Sequence, residues 1–208
     1  MQLSEWLTGQ ADDSLHTIRE FKRGDRIYST GDTPEYLYLV SSGLVGLTIL
    51  SPAGAEHLLR LFGRGSYFGH RSFLAQETYH ADAIALEPTR IYCVPGEFVR
   101  SALKNDFQLT SDLLQQLARD LGRAERQRVD WLEADVNSRV AQALIYLKER
   151  YGQHRWTRAE IASFCGSTVS TVIKTLARFE DQGWISQQGR EIIVRDRHAL
   201  LALSAEDS

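Results

Sequence analysis

Cysteine is scarce in this sequence, and its scarcity argues against several kinds of metal centre. The chain contains only two cysteines, Cys93 and Cys165, and they lie far apart. A thiolate-bound iron–sulfur cluster uses four such ligands, and a structural zinc site uses ligands paired at short spacing. We therefore expect no iron–sulfur cluster, and we predict that both cysteines are reduced thiols in the core.

Long hydrophobic runs and targeting signals are missing as well. No apolar segment approaches the roughly 18 residues that a membrane-spanning helix requires, although 43% of the residues are hydrophobic. The N-terminal segment MQLSEWLTGQADDS lacks a basic stretch followed by an apolar one, so we predict a cytoplasmic protein with no membrane partner. The net charge of −3 excludes little, because a DNA-binding protein needs only a local basic surface.

Signatures of common enzyme classes are also missing. The sequence has no His-x-His pair, which a cupin-type metal-dependent enzyme would use with a carboxylate around one metal ion. It also has neither a glycine-rich phosphate loop nor a G-x-S-x-G nucleophile turn. We therefore predict that the protein is not an enzyme and keep the cupin type as the alternative. Bound metal and DNA binding, measured on one purified sample, separate the two classes.

Turn signals divide the region from Phe21 to Val94 into short segments. The motifs RGD, TGD, SSG, PAG and GRGS separate runs such as YLYLV, LVGLTIL and HLLRLF, which are rich in aromatic and branched residues. Short strands at regular intervals, with turns between them, are typical of an antiparallel sandwich or barrel. The sequence therefore predicts a β-domain in this part of the chain.

Glycine is nearly absent from Phe107 to Trp131, where apolar residues follow a helical period. The stripe alternates steps of three and four residues through Leu114, Leu117, Leu121, Ala124, Arg128 and Trp131. This spacing is typical of a coiled-coil seam, so we predict one long helix that dimerises through Leu114, Leu117, Leu121 and Ala124. The alternative is that the helix buries this stripe against its own β-domain.

The C-terminal third reads as a helical domain. Asn137 is the predicted N-cap of a helix whose apolar face contains Val140, Leu144, Leu147 and Tyr151. Thr157 and Glu160 have the spacing of a capping box, in which each side chain bonds to the other residue's backbone N–H. These features predict two consecutive helices.

A tight turn and a third helix follow. Gly166 supplies the turn, and Ser167 is the predicted cap of a helix that runs to Gly183. Its inward residues are predicted to be Val172, Leu176 and Phe179. Two short β-like segments around Gln188 and Gly189 then predict a hairpin wing, which completes a winged helix-turn-helix.

Polar residues near the start of this third helix lie outside the inward stripe. They are Thr168, Ser170, Thr171 and Lys174. In a helix-turn-helix, exposed side chains near the N-terminus of the second helix enter the major groove. Short hydroxyls and one cation suit hydrogen bonds to phosphates and base edges, while the alternative is a solvated polar face.

Taken together, the sequence resembles the Crp/Fnr family of transcription regulators. The resemblance rests on the segments TGDTPEYLYLVSSGLVGL, GSYFGHRSFL, LLQQLARDLGRAE and RAEIASFCGSTVSTVIKTLARFEDQGWI. It implies an α+β protein with an antiparallel, cyclic-nucleotide-binding-like β-roll at 1–105, a dimerisation helix at 106–135 and a winged helix-turn-helix at 136–208. It also implies a homodimer that binds a partly palindromic operator on double-stranded DNA and contacts RNA polymerase.

The resemblance also implies which residues contact DNA. By position, Val169, Ser170 and Lys174 match the residues that read bases in the family. The matches to phosphate-contacting residues are Thr157, Arg158, Thr168 and Thr171. Because the family typically has a glutamate and an arginine where this chain has Ser170 and Lys174, we expect a different operator sequence.

The effector pocket departs from the cyclic AMP-binding pattern. Family members that bind cyclic AMP carry Gly-Glu and Arg-Ser or Arg-Thr pairs, which align with Gly69-His70 and His80-Ala81. The adenine-contacting threonine and serine align with Ala124 and Glu125. The candidate pocket residues are Gly69, His70, Arg71, Ser72, His80, Ala81, Ala124 and Glu125. Since a neutral imidazole does not reproduce a charged guanidinium at a phosphate, we expect no response to cyclic AMP.

Several roles remain open for His70 and His80. One role is that of half-buried residues in a pocket that no longer binds a ligand. A second is to hold haem or a metal, with His57 as a third ligand. The third is to bind another small anion together with Arg71. Neither the effector nor a cofactor is named by the sequence. A regulator without any effector fits the same residues.

Overall fold

Two four-stranded antiparallel sheets form the N-terminal part of the chain. The computed structural model describes residues 16–189 and 191–203, and the chain divides into a first unit, Met1–Gly122, and a second unit, Arg123–Ser208. The strands of the first unit are β1 Thr17–Phe21, β2 Arg26–Tyr28, β3 Tyr36–Ser42, β4 Val45–Leu50, β5 Glu56–Phe62, β6 Tyr67–Phe68, β7 Asp82–Ala85 and β8 Thr89–Pro95. One sheet has the order β1-β8-β3-β6 and the other β2-β7-β4-β5.

Three helices accompany these strands. They are α1 His70–Ala75, α2 Gly96–Asn105 and the long α3 Phe107–Glu133, which extends beyond the first unit. The predicted β-domain and long helix are both confirmed. None of the helices in residues 16–189 and 191–203 combines the length and the apolar character of a membrane span.

Strand β3 is buried on both faces and separates two apolar clusters. Successive strand residues point to opposite faces. Tyr38 and Val40 face the interior between the sheets, while Leu37 and Leu39 face an outer cluster. The interior is strongly aromatic, and the Tyr28 and Tyr79 rings stack there with centroids 3.6 Å apart. The buried Cys93 thiol belongs to this interior, as predicted.

The outer cluster fixes the rotation of α3 about its axis. Leu109 and Leu113 are buried in it, and Leu117 packs against it. Leu114 comes one residue after Leu113 and so points about 100° away from it. Leu121 lies one heptad after Leu114 and on the same side, and each of these two leucines is 62% exposed. The predicted seam is therefore divided: Leu117 packs within its own unit, and Leu114 and Leu121 form an exposed stripe.

The second unit contains four further helices and a hairpin. Its elements are the remainder of α3, then α4 Val136–Tyr151, α5 Arg158–Cys165, α6 Val169–Asp181, β9 Ile185–Gln188, β10 Glu191–Val194 and α7 Arg197–Ala202. The predicted inward residues of α4 and α6 are buried, except Tyr151, which is half-buried. The predicted helix-turn-helix and wing are thus confirmed, and Cys165 is a buried thiol as expected.

Two predicted helix caps are wrong by one or two positions. Asp135, not Asn137, caps α4, because its carboxylate accepts from the Ser138 backbone N–H at 2.7 Å. Thr168, not Ser167, caps α6 and accepts from the Thr171 backbone N–H at 3.2 Å. In both cases the cap is the extended residue immediately before the helix, which local composition alone does not locate.

Candidate functional site

Hydroxyl groups organise the first turn of α6. The Thr168 Oγ1 lies 3.0 Å from the Ser170 Oγ and 2.8 Å from the Thr171 Oγ1. The same oxygen accepts from the Thr171 backbone N–H. Three of the residues predicted to contact DNA therefore form one hydrogen-bonded cluster at the helix N-terminus, where orphan N–H groups and the helix dipole favour an anion.

The inward face of α6 is firmly anchored. Val172, Leu176 and Phe179 have no exposed surface. The Thr175 hydroxyl donates to the Asn137 side-chain oxygen at 3.3 Å and so ties α6 to α4. Because this face is fixed, the opposite face of α6 has a defined orientation within the second unit.

The outward face of α6 carries polar and apolar residues. Ser170 and Lys174 are exposed, as predicted for base-reading side chains, and so is Val169. Ile173 is also exposed, although the sequence analysis did not single it out. Its position four residues after Val169, outside the inward stripe, was the signal that could have identified it.

Thr157 serves as a helix cap. Its hydroxyl donates to the Glu160 carboxylate at 3.0 Å and accepts from the Glu160 backbone N–H at 3.1 Å. Its own backbone N–H donates to the same carboxylate at 2.8 Å, which confirms the predicted capping box. A phosphate oxygen can only accept a hydrogen bond, and the single hydroxyl proton of Thr157 is already donated to Glu160. The geometry therefore favours a capping role over a phosphate contact.

Arg158 belongs to a hydrogen-bonded relay that joins α5, the wing and α6. Its guanidinium donates to the Gln187 side-chain oxygen and, at 3.5 Å, to the Gly189 carbonyl. Gln187 in turn donates to Glu180 from its backbone N–H at 2.6 Å and from its side-chain amide at 3.0 Å. Sequence reasoning missed Gln187 and Glu180, because no local pattern links residues so distant along the chain.

Arg139 supports the turn before α6. Its guanidinium donates to the Cys165 carbonyl at 3.2 Å and to the Ala134 carbonyl at 2.9 Å. It thereby satisfies a carbonyl at the C-terminal end of α5, where such groups lack intrahelical partners. The turn that follows uses Gly166 in the left-handed region, at φ 62°.

Gly69 has a structural reason to be glycine. It precedes α1 with φ 82°, in the left-handed region. A Cβ at this position would lie 3.1 Å from the Tyr38 ring and 3.4 Å from the Tyr36 carbonyl oxygen. Its presence therefore follows from the fold and gives no evidence for a nucleotide.

His70 is buried in an apolar and charged environment. The Tyr67 ring contacts the His70 ring edge-on, with 4.8 Å between the ring centroids. Arg60 and Asp120, whose charges act on His70, form an ion pair with 2.9 Å between nitrogen and oxygen. Burial lowers the pKa of His70 to about 4, with Arg60 acting in the same direction and Asp120 opposing it. Its Nδ1 has no hydrogen-bond partner among the described residues. His70 is therefore neutral at pH 7.

His80 lies in a different environment, on the surface. Its Nδ1 is 3.1 Å from an Arg71 guanidinium nitrogen, and Arg71 also pairs with Glu77 at 3.2 Å. Partial burial of the ring, and then Arg71, lower the pKa of His80, while Glu77 opposes the shift. The expectation of two half-buried histidines is wrong, because His70 is buried and His80 is exposed.

The remaining pocket candidates are divided between the two units. Ser72 and Ala81 are buried in the first unit. Ala124 and Glu125 are exposed residues of α3 in the second unit. In the part of the chain that the structure describes, no group of three metal-ligating side chains could hold a metal ion.

Comparisons with known proteins agree with both units. Residues 18–106 match the cyclic nucleotide-binding domain, and residues 138–203 match the Crp-like helix-turn-helix domain. The chain is 30% identical over 190 residues to the CRP-like cAMP-activated global transcriptional regulator of Mycobacterium tuberculosis, which covers 87% of this chain and 85% of the relative. It is 26% identical to the transcriptional activator protein anr of Pseudomonas aeruginosa, over 95% of this chain and 86% of that protein.

Solved structures show the same similarity. FixK2 from Bradyrhizobium japonicum has a TM-score of 0.81 at 25% identity, covering 91% of this chain and 97% of that one. TTHA1359, a CRP/FNR-family regulator from Thermus thermophilus, has a TM-score of 0.76 at 28% identity, covering 92% of this chain and 100% of that one.

A cyclic-nucleotide-binding-like β-roll, a long helix and a winged helix-turn-helix define a class of two-domain DNA-binding proteins. These relatives are transcription regulators and not enzymes. The chain belongs to the Crp/Fnr family of bacterial transcription regulators.

Acid should destabilise the first unit through His70. Because its folded pKa of about 4 lies below the ordinary value of 6.5, the unfolded chain binds a proton that the folded chain excludes between these values. Stability should therefore fall as pH drops from about 6.5 to about 4, by up to about 3 kcal/mol from this group. Urea unfolding at several pH values measures this change.

His70→Gln should flatten that pH dependence relative to wild type, since glutamine does not titrate. His80→Gln, at the exposed histidine, is the control and should retain most of it. Equal pH dependence in wild type and His70→Gln would show that His70 is not the group responsible.

Proposed function

We propose that this protein is a homodimeric, cytoplasmic regulator that places α6 of each subunit in the major groove of a partly palindromic operator. The observation that carries the proposal is the outward face of α6, where Ser170 and Lys174 are exposed on a helix whose opposite face is fully buried. A cytoplasmic location follows from a chromosomal target in a bacterium. Contact with RNA polymerase is part of the proposal, supported by a relative named as a transcriptional activator.

Base reading is assigned to Val169, Ser170 and Lys174. The Lys174 ammonium suits the O6 and N7 acceptors of guanine, and the Ser170 hydroxyl can donate to or accept from a base edge. These two residues replace the glutamate and arginine typical of the family. The operator should therefore differ from the familiar ones at the positions that these residues face.

Phosphate contacts are assigned to Arg158, Thr168 and Thr171. The three hydroxyls of Thr168, Ser170 and Thr171 carry three protons, and their two mutual contacts use two of them. One proton remains for a phosphate oxygen at the helix N-terminus, where the dipole also favours an anion. The Gln187 and Gly189 contacts hold the Arg158 guanidinium at the wing.

Dimerisation is assigned to the exposed stripe of α3. Leu114 and Leu121 are one heptad apart, so both lie on one side of the helix, and Ala124 follows as a small exposed residue. Each leucine is 62% exposed, so its burial by a second copy would contribute about 1–2 kcal/mol. Two symmetric recognition helices would then match two half-sites.

Cyclic AMP is not the proposed effector. The arginine that grips the cyclic phosphate in the family is replaced by His80, and the nearby Arg71 is already paired with Glu77 and His80. The glutamate that grips the ribose is replaced by His70, which is buried and neutral. These replacements remove the charges that hold the nucleotide.

Selection of bound DNA from a random pool tests the proposal and yields the operator. On that operator, Lys174→Ala should cost about 1–3 kcal/mol at one base position and relax specificity there. Arg158→Ala should weaken binding to all sequences alike and lower the salt dependence by about one unit of slope. Fluorescence anisotropy on matched and mismatched duplexes measures both. If the two variants lose affinity in the same sequence-independent way, Lys174 contacts only the backbone.

Leu114→Glu combined with Leu121→Glu should yield a folded monomer with greatly reduced operator binding, because four carboxylates would meet in the seam. Gln115→Glu, an exposed change on the same helix, is the control and should leave the dimer intact. Sedimentation at micromolar concentration measures the oligomeric state. A wild-type chain that sediments as a monomer there would refute the assignment.

Cyclic AMP at about 1 mM should leave the melting temperature unchanged, since only a ligand that binds the folded state raises it. The Mycobacterium tuberculosis relative, named as cAMP-activated, is the positive control. A rise of several degrees in this protein would overturn the proposal that cyclic AMP is not its effector.

A further inference from the structure

The outward face of α6 carries two apolar side chains beside its polar ones. Val169 is 43% exposed and Ile173 is 52% exposed. They are four residues apart, so they lie next to each other along the helix. Single exposed apolar residues are common on protein surfaces. This pair stands out because it lies on the face that also presents Ser170 and Lys174.

The two kinds of side chain form parallel rows. Val169 immediately precedes Ser170, and Ile173 immediately precedes Lys174. Successive helical residues differ by about 100° in direction. The apolar row and the polar row therefore lie side by side, and a helix that docks with the polar row against base edges also brings the apolar row to the groove.

The major groove offers one apolar group to such a row. Adenine, guanine and cytosine present donors and acceptors at their edges, whereas thymine also presents its C5-methyl group. Val169 and Ile173 are branched at Cβ and have few rotamers, so they lose little conformational freedom on contact. Opposite a polar base edge they would instead leave a donor or acceptor desolvated without a partner.

We propose that Ile173, together with Val169, reads thymine methyl groups, and that Ile173 is a specificity-determining residue for the operator. Each half-site should then contain thymine where the apolar row meets the groove, next to the base pair that Lys174 contacts. The inference rests on the proposed DNA-binding function. It adds to that function a residue and a base identity.

Deoxyuridine provides the test, because it differs from thymidine only by the absence of the C5-methyl group. Each thymidine of the selected operator is replaced singly by deoxyuridine, and the dissociation constant is measured by fluorescence anisotropy. For wild type, replacement at one or two positions in each half-site should weaken binding about four-fold. This factor corresponds to about 0.8 kcal/mol, the value for one buried CH₂ group.

Ile173→Ala should remove most of the deoxyuridine penalty at its position, since the methyl contact no longer exists. Lys174→Ala is the matched control: it weakens binding overall but should keep the penalty. Circular dichroism of both variants checks that they are folded, which their exposed positions favour.

The outcomes separate this inference from the proposed function. If selection enriches no DNA sequence, the proposed function itself fails. If wild type binds its operator but tolerates deoxyuridine at every position, methyl reading is wrong while DNA binding stands. A penalty that persists in Ile173→Ala and in Val169→Ala would place the methyl effect elsewhere and also overturn the inference.

Discussion

Burial of strand β3 on both faces is the constraint on which the arrangement of the first unit depends. Tyr38 and Val40 complete the interior between the sheets, and Leu37 and Leu39 require a second apolar layer outside. The first turns of α3 supply part of that layer through Leu109 and Leu113. This packing decides which side of α3 is buried and which side, with Leu114 and Leu121, is exposed.

The same core bears on where the two histidines of the candidate pocket lie. The space between the sheets is filled by large aromatic rings, and α1 begins at a glycine held against one of them. His70 is thereby directed into a buried environment and His80 onto the surface. The two histidines that replace ligand-gripping residues therefore differ in accessibility, although the pKa of each is lowered.

The sequence predicted features that depend on periodicity better than features that depend on distant contacts. The inward residues of α4 and α6, the capping box at Thr157 and the wing all follow from local spacing, and the structure confirms them. The caps at Asp135 and Thr168 were missed because several neighbouring polar residues could serve, and only the helix start decides among them. The contacts of Arg158 with the wing, and the burial of His70, depend on tertiary packing that no local pattern encodes.

The hydrogen bonds from Arg158 to Gln187 and from Gln187 to Glu180 join α5, the wing and α6 within the second unit. None of these three residues lies on the outward face of α6 next to Ser170 and Lys174. In the proposed binding mode, a substitution on that face would change which bases are preferred and leave these hydrogen bonds in place. New target sequences would then be reached by single changes on α6, while the contacts that join it to α5 and the wing stay the same.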